Sequence, residues 1–390
     1  MISWLGRLVG VALCIAGMWW SYKLLKADVL YRRDTPESIR EAIRLRPEAA
    51  EYYLRLARLD EDKGNELLKK ALALEPYNAE ASIEFALNLE AEGNTGEAEK
   101  LLLKAYQADR TYLSRWSLAN FYFRRSDFDK FWYWARKAAE MPSADIAPLF
   151  ELCWRVTPDA GEIGRRVMTD DPSTIRQFLG FLSAKKDIEA GGDAARRLIE
   201  HGEAQRDRDL LLGVINHMIE AGDVKDSTGL WTEMIARQWV VADSGEPNNA
   251  AFARQPAPVE FDWSLPSYDG LHSWPGPAGL EAEFSGKQPE NCVIAEQTLA
   301  LGAGNYELHF RYRTKDMESG TGLTWSVSDR ESNKELARSA ELLSDSLKDQ
   351  SLRWSVPSGT PLVRLRLEYH RPLGSPRISG LLVVESTKVQ

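Results

Sequence analysis

Three residue pairs, Leu56-Ala57, Phe85-Ala86 and Leu118-Ala119, recur along the first part of the chain, each a large apolar residue followed by alanine, and Ala71, Ala105 and Ala138 trail behind them in turn. The step is close to the ~34 residues that two helices and their turns occupy. This spacing constrains the fold more than composition does. A helical hairpin of that length cannot bury its apolar face alone and must stack on its neighbours.

The clearest copy covers residues 79–107, with Phe85-Ala86, then Leu89, a turn at Gly93-Asn94, Ala98 where the second helix crosses the first, and Leu102 and Ala105 on the buried stripe. A copy from Tyr112 repeats it with Leu118-Ala119-Asn120, Tyr122, the turn Ser126-Asp127-Phe128 and Ala138. A shortened earlier copy has Tyr53, Leu56-Ala57, Gly64-Asn65, Ala71 and Pro76. Thr35-Pro36 reads as an N-cap with proline at the first helical position, opening an orphan second helix that carries Ala42 and ends at Pro47. These residues resemble the tetratricopeptide repeat, which implies an all-α solenoid over residues 34–243, clear over 50–142 and degenerate over 143–243. In the degenerate part, helical stretches are expected around 147–156, 174–185, 192–201 and 210–239, with a turn at Gly222-Asp223.

The N-terminus follows another rule. Residues 8–20 are apolar or glycine throughout, and with residues 2–6 and Ser21-Tyr22 the stretch reaches the ~20 residues that span a bilayer. Arg7 lies near one end, where its long side chain can reach the headgroups, and Trp4 on one side and Trp19, Trp20 and Tyr22 on the other suit the two interfaces. No small-x-small cleavage site follows, so residues 1–33 read as a retained transmembrane anchor with its flank rather than a signal peptide. Lys23, Lys26, Arg32 and Arg33 behind the span favour a cytoplasmic body by the positive-inside rule, whereas the character of the C-terminal domain favours an extracytoplasmic one.

Residues 244–259 contain Gly245-Glu246-Pro247 and Gln255-Pro256-Ala257-Pro258, and read as an extended linker. Beyond it, over 260–390, apolar residues alternate: Leu280, Ala282, Phe284; Tyr306, Leu308, Phe310, Tyr312; Leu323, Trp325, Val327; Leu352, Trp354, Val356; Val363, Leu365, Leu367, Tyr369; then 378–385. Short half-buried strands of this kind predict an all-β jelly-roll sandwich. The stretch Leu301-Gly302-Ala303-Gly304-Asn305-Tyr306-Glu307-Leu308-His309-Phe310-Arg311, together with Trp354-Ser355-Val356-Pro357 and Ile378-Ser379-Gly380-Leu381-Leu382-Val383, resembles the galactose-binding-like sandwiches used as carbohydrate-binding modules.

Two surfaces are candidates for binding. In tetratricopeptide folds the first helix of each pair lines a concave groove, and the resemblance assigns to it Arg58, Glu61, Ile83, Leu87, Glu90, Trp116, Asn120, Phe123 and Arg124. Asn120 matches a position that contacts peptide backbone in some members, while the Lys/Arg set that clamps a terminal carboxylate is not present. Trp116 and Phe123 could equally pack against the next repeat. On the sandwich, His309, Arg311 and Arg313, then Arg353, then Arg364, Arg366 and His370 alternate with the apolar sets. If their strands are neighbours, they make a basic face for an acidic glycan or an acidic partner. The competing reading is a solvated face balanced by Glu281, Glu283, Glu307 and Glu368.

A net charge of -9 argues against nucleic acid as a partner. The 5 histidines show no metal-ligand spacing, the chain has no phosphate loop or nucleophile elbow, and Asp170-Asp171 before Pro172 suit a helix cap, so neither catalysis, metal nor cofactor is expected. The 3 cysteines, Cys14, Cys153 and Cys292, define no disulfide framework. The expected whole is multidomain: a membrane helix, a protein-binding repeat scaffold and a sandwich that binds glycan or protein. Its layout is similar to bacterial inner-membrane proteins that accompany exopolysaccharide or O-antigen assembly, with the soluble part in the periplasm. The alternative is the sugar-recognition module of a polysaccharide-degrading system, with the repeats as spacer.

Overall fold

The computed structural model describes residues 2–141, 144–185, 191–243 and 245–390, with Ile2, Ser3, Leu5, Gly6 and Glu61 described by backbone alone. The domain boundaries expected at 142–143 and at 244 therefore lie outside the described residues. The chain divides into two compact units, Met1–Pro158 with Arg165–Thr169, and Asp159–Gly164 with Asp170–Gln390.

The first unit opens with one continuous helix, α1 (Ile2–Arg32), followed by α2 (Pro36–Leu45), α3 (Ala50–Leu59), α4 (Gly64–Leu74), α5 (Ala79–Ala91), α6 (Thr95–Ala108), α7 (Tyr112–Arg124), α8 (Phe128–Ala139) and α9 (Ala147–Val156). Sequential pairs α3 with α4, α5 with α6 and α7 with α8 form the hairpins that the repeat spacing implies. Their crossings are built on alanine: Ala71, Ala98, Ala105, Ala119 and Ala138 are all fully buried. Polar side chains fix the helix starts. Thr35 and Ser38 form a reciprocal capping box, and Asn78 and Asp127 each accept from a backbone N–H three residues on. Gly93 takes the left-handed φ of 86° that closes α5, and Ser126 holds the matching place after α7 at 57°.

The helix that opens at Pro36 is not an orphan. Its partner is the far end of α1, where Ala27 and Leu30 are buried and Tyr31 stacks on Tyr52 of α3 at 4.8 Å. The N-terminal apolar helix thus does not end where the repeats begin, because its last turns supply the first helix of the stack. α1 is also the one helix among the described residues long and apolar enough to cross a membrane, by length and composition over Arg7–Arg32. The aromatic residues of α8 divide by direction: Phe131, Trp132 and Trp134 are buried, while Phe128 and Tyr133 are exposed.

The helix α10 (Ala160–Val167) leads to the second unit's α11 (Pro172–Lys185), α12 (Gly191–His201), α13 (Ala204–Glu220) and α14 (Val224–Ala236). Asp207, fully buried, accepts from Arg176 Nη2 at 3.1 Å and from the Glu203 backbone N–H at 2.9 Å, tying α11 to the start of α13.

The sandwich follows as β1 (Leu271–Gly276), β2 (Gly279–Ser285), β3 (Asn291–Ala300), β4 (Gly304–Lys315), β5 (Leu323–Asp329), β6 (Glu335–Arg338), β7 (Lys348–Val356), β8 (Leu362–His370) and β9 (Ser379–Val389). A five-stranded sheet in the order β1-β2-β9-β4-β7 faces a four-stranded one in the order β3-β8-β5-β6, all pairs antiparallel. The alternating sets of β2, β4, β5, β7, β8 and β9 point into one shared core around Trp325, Phe310 and Tyr369. Gly279 is required by its neighbours: a Cβ there would lie 2.1 Å from Val384 O.

The proline-rich segment expected as an extended linker is folded onto the sandwich. Val389 N donates to Glu246 O and Thr387 N to Ala250 O, both at 2.8 Å. Gln297 exchanges two hydrogen bonds with the Asn248 backbone at 2.8 and 3.0 Å. Phe252, fully buried, packs on Trp263 at 4.8 Å within the core. Buried asparagine and glutamine satisfy backbone groups that a free linker would leave to water, and proline content alone does not reveal this.

Candidate functional site

The residues assigned to the groove, apart from Glu61 in the turn after α3, sit on α3, α5 and α7 and form a row of paired charges around a small apolar centre. Arg58 of α3 binds Glu80 and Glu84 of α5, and the Glu84 hydrogen bond in particular holds its guanidinium above the ordinary value. Arg124 of α7 grips Glu90 of α5 with two hydrogen bonds, at 2.6 and 2.9 Å. Between these ion pairs Leu87 is 43% exposed. Trp116, half-buried, stacks on Tyr112 at 6.1 Å, and Asn120 Nδ2 donates back to the Trp116 carbonyl at 3.0 Å. Phe123 is half-buried against Phe131 at 6.0 Å, so much of its surface serves packing. Ile83 is buried, and the side chain of Glu61 lies outside the described residues.

A clamp that the spacing did not reveal lies behind the groove. Tyr122 donates to Glu99 at 2.7 Å, and Lys130 bonds Glu99 at 3.2 Å while standing over the Tyr122 ring at 4.9 Å. It joins α6, α7 and α8, and burial followed by the Glu99 contact raises the Tyr122 phenol above its ordinary value. The sequence signal was present in Glu99 and Lys130, but nothing in the linear order paired them.

On the sandwich the structure divides the expected basic face. His309, Arg311 and Arg313 on β4 and Arg353 on β7 belong to the five-stranded sheet, whereas Arg364 and Arg366 on β8 belong to the four-stranded one. The two groups point outward from opposite sheets and make no common surface. One basic face requires these strands to be neighbours, and topology meets that condition only in part: β4 pairs with β7, but β8 lies in the other sheet. Most of these cations are also balanced. Arg311 faces Glu385 at 3.3 Å, Arg353 faces Glu307 at 3.1 Å and Arg366 faces Glu296 at 3.0 Å. His309 lies 3.9 Å from Glu307, whose carboxyl is held below the usual range by Ser351 and Arg353. Arg313 is exposed and has no ion pair among the described residues.

The three cysteines are free, with Cys153 and Cys292 buried, and burial pushes the Cys292 thiol up to about 11. Among the described residues no group of three or more His, Cys, Asp or Glu is gathered as for a metal ion.

No family model matches the chain, and no curated protein matches it. Among solved structures, a carbohydrate-binding module described as "CBM4 structure and function" aligns at 11% identity over 37% of this chain and 99% of its own, with a TM-score of 0.30. The tetratricopeptide protein YrrB, with "an unusual peptide-binding site", aligns at 15% identity over 52% of this chain and 94% of its own, with a TM-score of 0.26. PilW, a "widely conserved type IV pilus biogenesis factor", aligns at 15% identity over 56% of this chain and 93% of its own, with a TM-score of 0.27. At such scores the assignment of a repeat stack and a β-sandwich rests on the helices, pairings and registers described above.

Proposed function

We propose that the chain is a non-enzymatic, membrane-anchored scaffold whose repeat groove binds a protein partner during assembly or export of cell-surface polysaccharide. The observation that carries the protein-binding part is the row of side chains along α3, α5 and α7. Its charges are neutralised in place by Arg58 with Glu84 and Arg124 with Glu90, which leaves the exposed Leu87 and half-exposed Trp116 as contact surface. An apolar centre rimmed by polar pairs is the usual make-up of a protein-recognition surface. The continuous α1 supports the anchored part, and the character of the sandwich supports a body on the periplasmic side of a bacterial inner membrane. The sandwich is read as the module that meets glycan or a second protein.

Photo-crosslinking decides the groove. A crosslinkable residue at Leu87 should give a single discrete adduct in cells, identifiable by mass spectrometry and lost in Trp116→Ala, while the same residue at Lys104 on α6 should give none. Equal labelling at both positions, or an adduct indifferent to Trp116, would overturn the groove. Loss of surface polysaccharide on deletion of the protein tests the wider role, and unchanged polysaccharide would remove it.

A further inference from the structure

One arginine of the divided face stands apart from the rest. Arg364 projects from β8 into a cleft of about 260 Å³ lined also by Glu260, Glu296, Thr298, Ser264 and Asn216 of α13. Every other charged group there has a close counterpart. Glu260 takes two hydrogen bonds from Arg330, at 2.7 and 3.1 Å, and one from Thr298 at 2.8 Å. Glu296 takes Arg366 at 3.0 Å. Arg364 reaches Glu296 only at 4.0 Å, on an oxygen already held by Arg366, and otherwise donates to Asn333 Oδ1 at 3.0 Å. Its side chain is only 17% exposed. Burial, then Arg366 beside it, keep its guanidinium below the ordinary arginine value.

A half-buried guanidinium that, among the described residues, only shares carboxylates already held by Arg330 and Arg366, and that faces a cleft, is a position that an anionic ligand relieves. The cleft also limits which anion fits. Two carboxylates, Glu260 and Glu296, share the lining, so a compact anion such as phosphate meets repulsion as well as attraction. A neutral sugar would satisfy the glutamates and leave Arg364 unmatched. We propose that this cleft binds a hydroxylated carboxylate, specifically a hexuronate, with its carboxylate on Arg364 and its ring hydroxyls donating to Glu260 and Glu296. The inference rests on the polysaccharide reading only for the source of the sugar acid and is independent of the repeat groove.

The test is calorimetric titration of the full chain in detergent micelles with D-galacturonate and D-glucuronate, and separately with acetate, D-glucose and inorganic phosphate. One charged hydrogen-bond set is worth about tenfold or more in affinity, so a hexuronate should bind at least that much tighter than acetate, glucose or phosphate. Arg364→Gln should abolish this preference, Arg364→Lys should weaken it because the planar fork is lost, and Arg311→Gln on the opposite sheet should leave it unchanged. Circular dichroism of each variant separates misfolding from lost binding. Phosphate binding tightest, hexuronate no better than acetate and glucose, or full binding by folded Arg364→Lys and Arg364→Gln, would each overturn the site. Polygalacturonate in affinity electrophoresis separates the two readings: retention that depends on Arg364 supports both, whereas binding of monomer alone supports the site and counts against the polysaccharide role.

Discussion

Glu90 and Arg124 are 34 residues apart in sequence and meet face to face on neighbouring helices, Nη2 2.6 Å and Nε 2.9 Å from the two carboxylate oxygens. The pair closes one end of the row on α3, α5 and α7 as Arg58 and Glu84 close the other. Such exposed pairs contribute little to stability, about 0.2–1 kcal/mol, so their effect is to fix register and remove free charge from the groove. Glu90→Arg should therefore lower the urea midpoint only slightly but disturb crosslinking at Leu87, and the double exchange Glu90→Arg with Arg124→Glu should restore it. A double exchange that fails to restore the adduct would show that the pair is not what orders the surface.

Trp116 and Phe123 were equivalent candidates in the sequence and are not equivalent in the fold. Trp116→Ala should abolish the partner adduct with a small stability cost, since its ring is half-exposed on Tyr112. Phe123→Ala opens space beside the fully buried Phe131 and should cost a measurable part of the ~3–5 kcal/mol of a fully buried phenylalanine. Urea unfolding of both variants checks this, and equal destabilisation would place Trp116 in the core.

The Asp207–Arg176 pair gives a pH dependence with a defined sign. Burial pushes the Asp207 carboxyl up, but the Arg176 guanidinium and the Glu203 amide outweigh it, and the group titrates below its ordinary value. A depressed carboxyl contributes its stability above the unfolded value, near ~3.9, and loses it as pH falls through the lower folded one. Asp207→Asn should flatten that acid limb, while at neutral pH it leaves Arg176 without its buried partner at a cost of about 3–5 kcal/mol. Denaturation of variant and parent at neutral and acid pH compares the two, and an unchanged acid limb would count against Asp207 as the titrating group.

What could be read in the sequence was what periodicity carries. The alanines at Ala86, Ala98 and Ala105 announce the hairpins, and the alternation of β2, β4, β5, β7, β8 and β9 announces a sandwich. β3 escaped because a bulge between Val293 and Ala295 breaks its alternation and because Gln297 and Thr298 are buried beside apolar residues. The order of strands was not legible either, since alternation fixes which face a residue takes but not which strand lies beside it. Alternation therefore leaves Arg353 and Arg364 as candidates for one surface although their strands belong to different sheets. The order of the hairpins was legible because sequential hairpins stack in chain order, so neighbours in sequence are neighbours in space.

The folded segment ahead of the sandwich predicts a longer autonomous fragment than composition suggests. Phe252→Ala removes a fully buried ring from the core shared with Trp263 and should cost about 3–5 kcal/mol. A fragment of residues 245–390 should accordingly melt at higher temperature than one of residues 261–390, which lacks Phe252 and the Asn248–Gln297 exchange. Equal melting would show that the segment is adventitiously placed.

The run of α1 from the apolar stretch into the repeats separates two truncations that would otherwise seem alike. Deleting residues 2–22 removes exposed apolar surface, Met18, Trp19, Trp20 and Tyr22 among it, and leaves Ala27, Leu30 and Tyr31 on α2 and α3. That form should stay folded, with the helical signal of the repeats and an unaltered melting temperature, but should no longer pellet with membranes after a carbonate wash. Deleting residues 2–33 also strips the cover from Ile39, Ala42 and Tyr52, all buried in the same cluster. Loss of Leu30 alone forfeits about 1.5–3 kcal/mol of burial, and Tyr31 adds its stack on Tyr52, so the longer deletion should melt several degrees lower and expose α2 to proteolysis. Leu30→Glu in the full chain should reproduce the lower melting temperature while membrane pelleting persists, because the residue is buried against the repeats and lies beyond the apolar stretch of residues 2–22. If the two truncations melt together, the far end of α1 is not the first helix of the stack, and if residues 23–390 still pellet, the apolar stretch is not what holds the protein to the membrane.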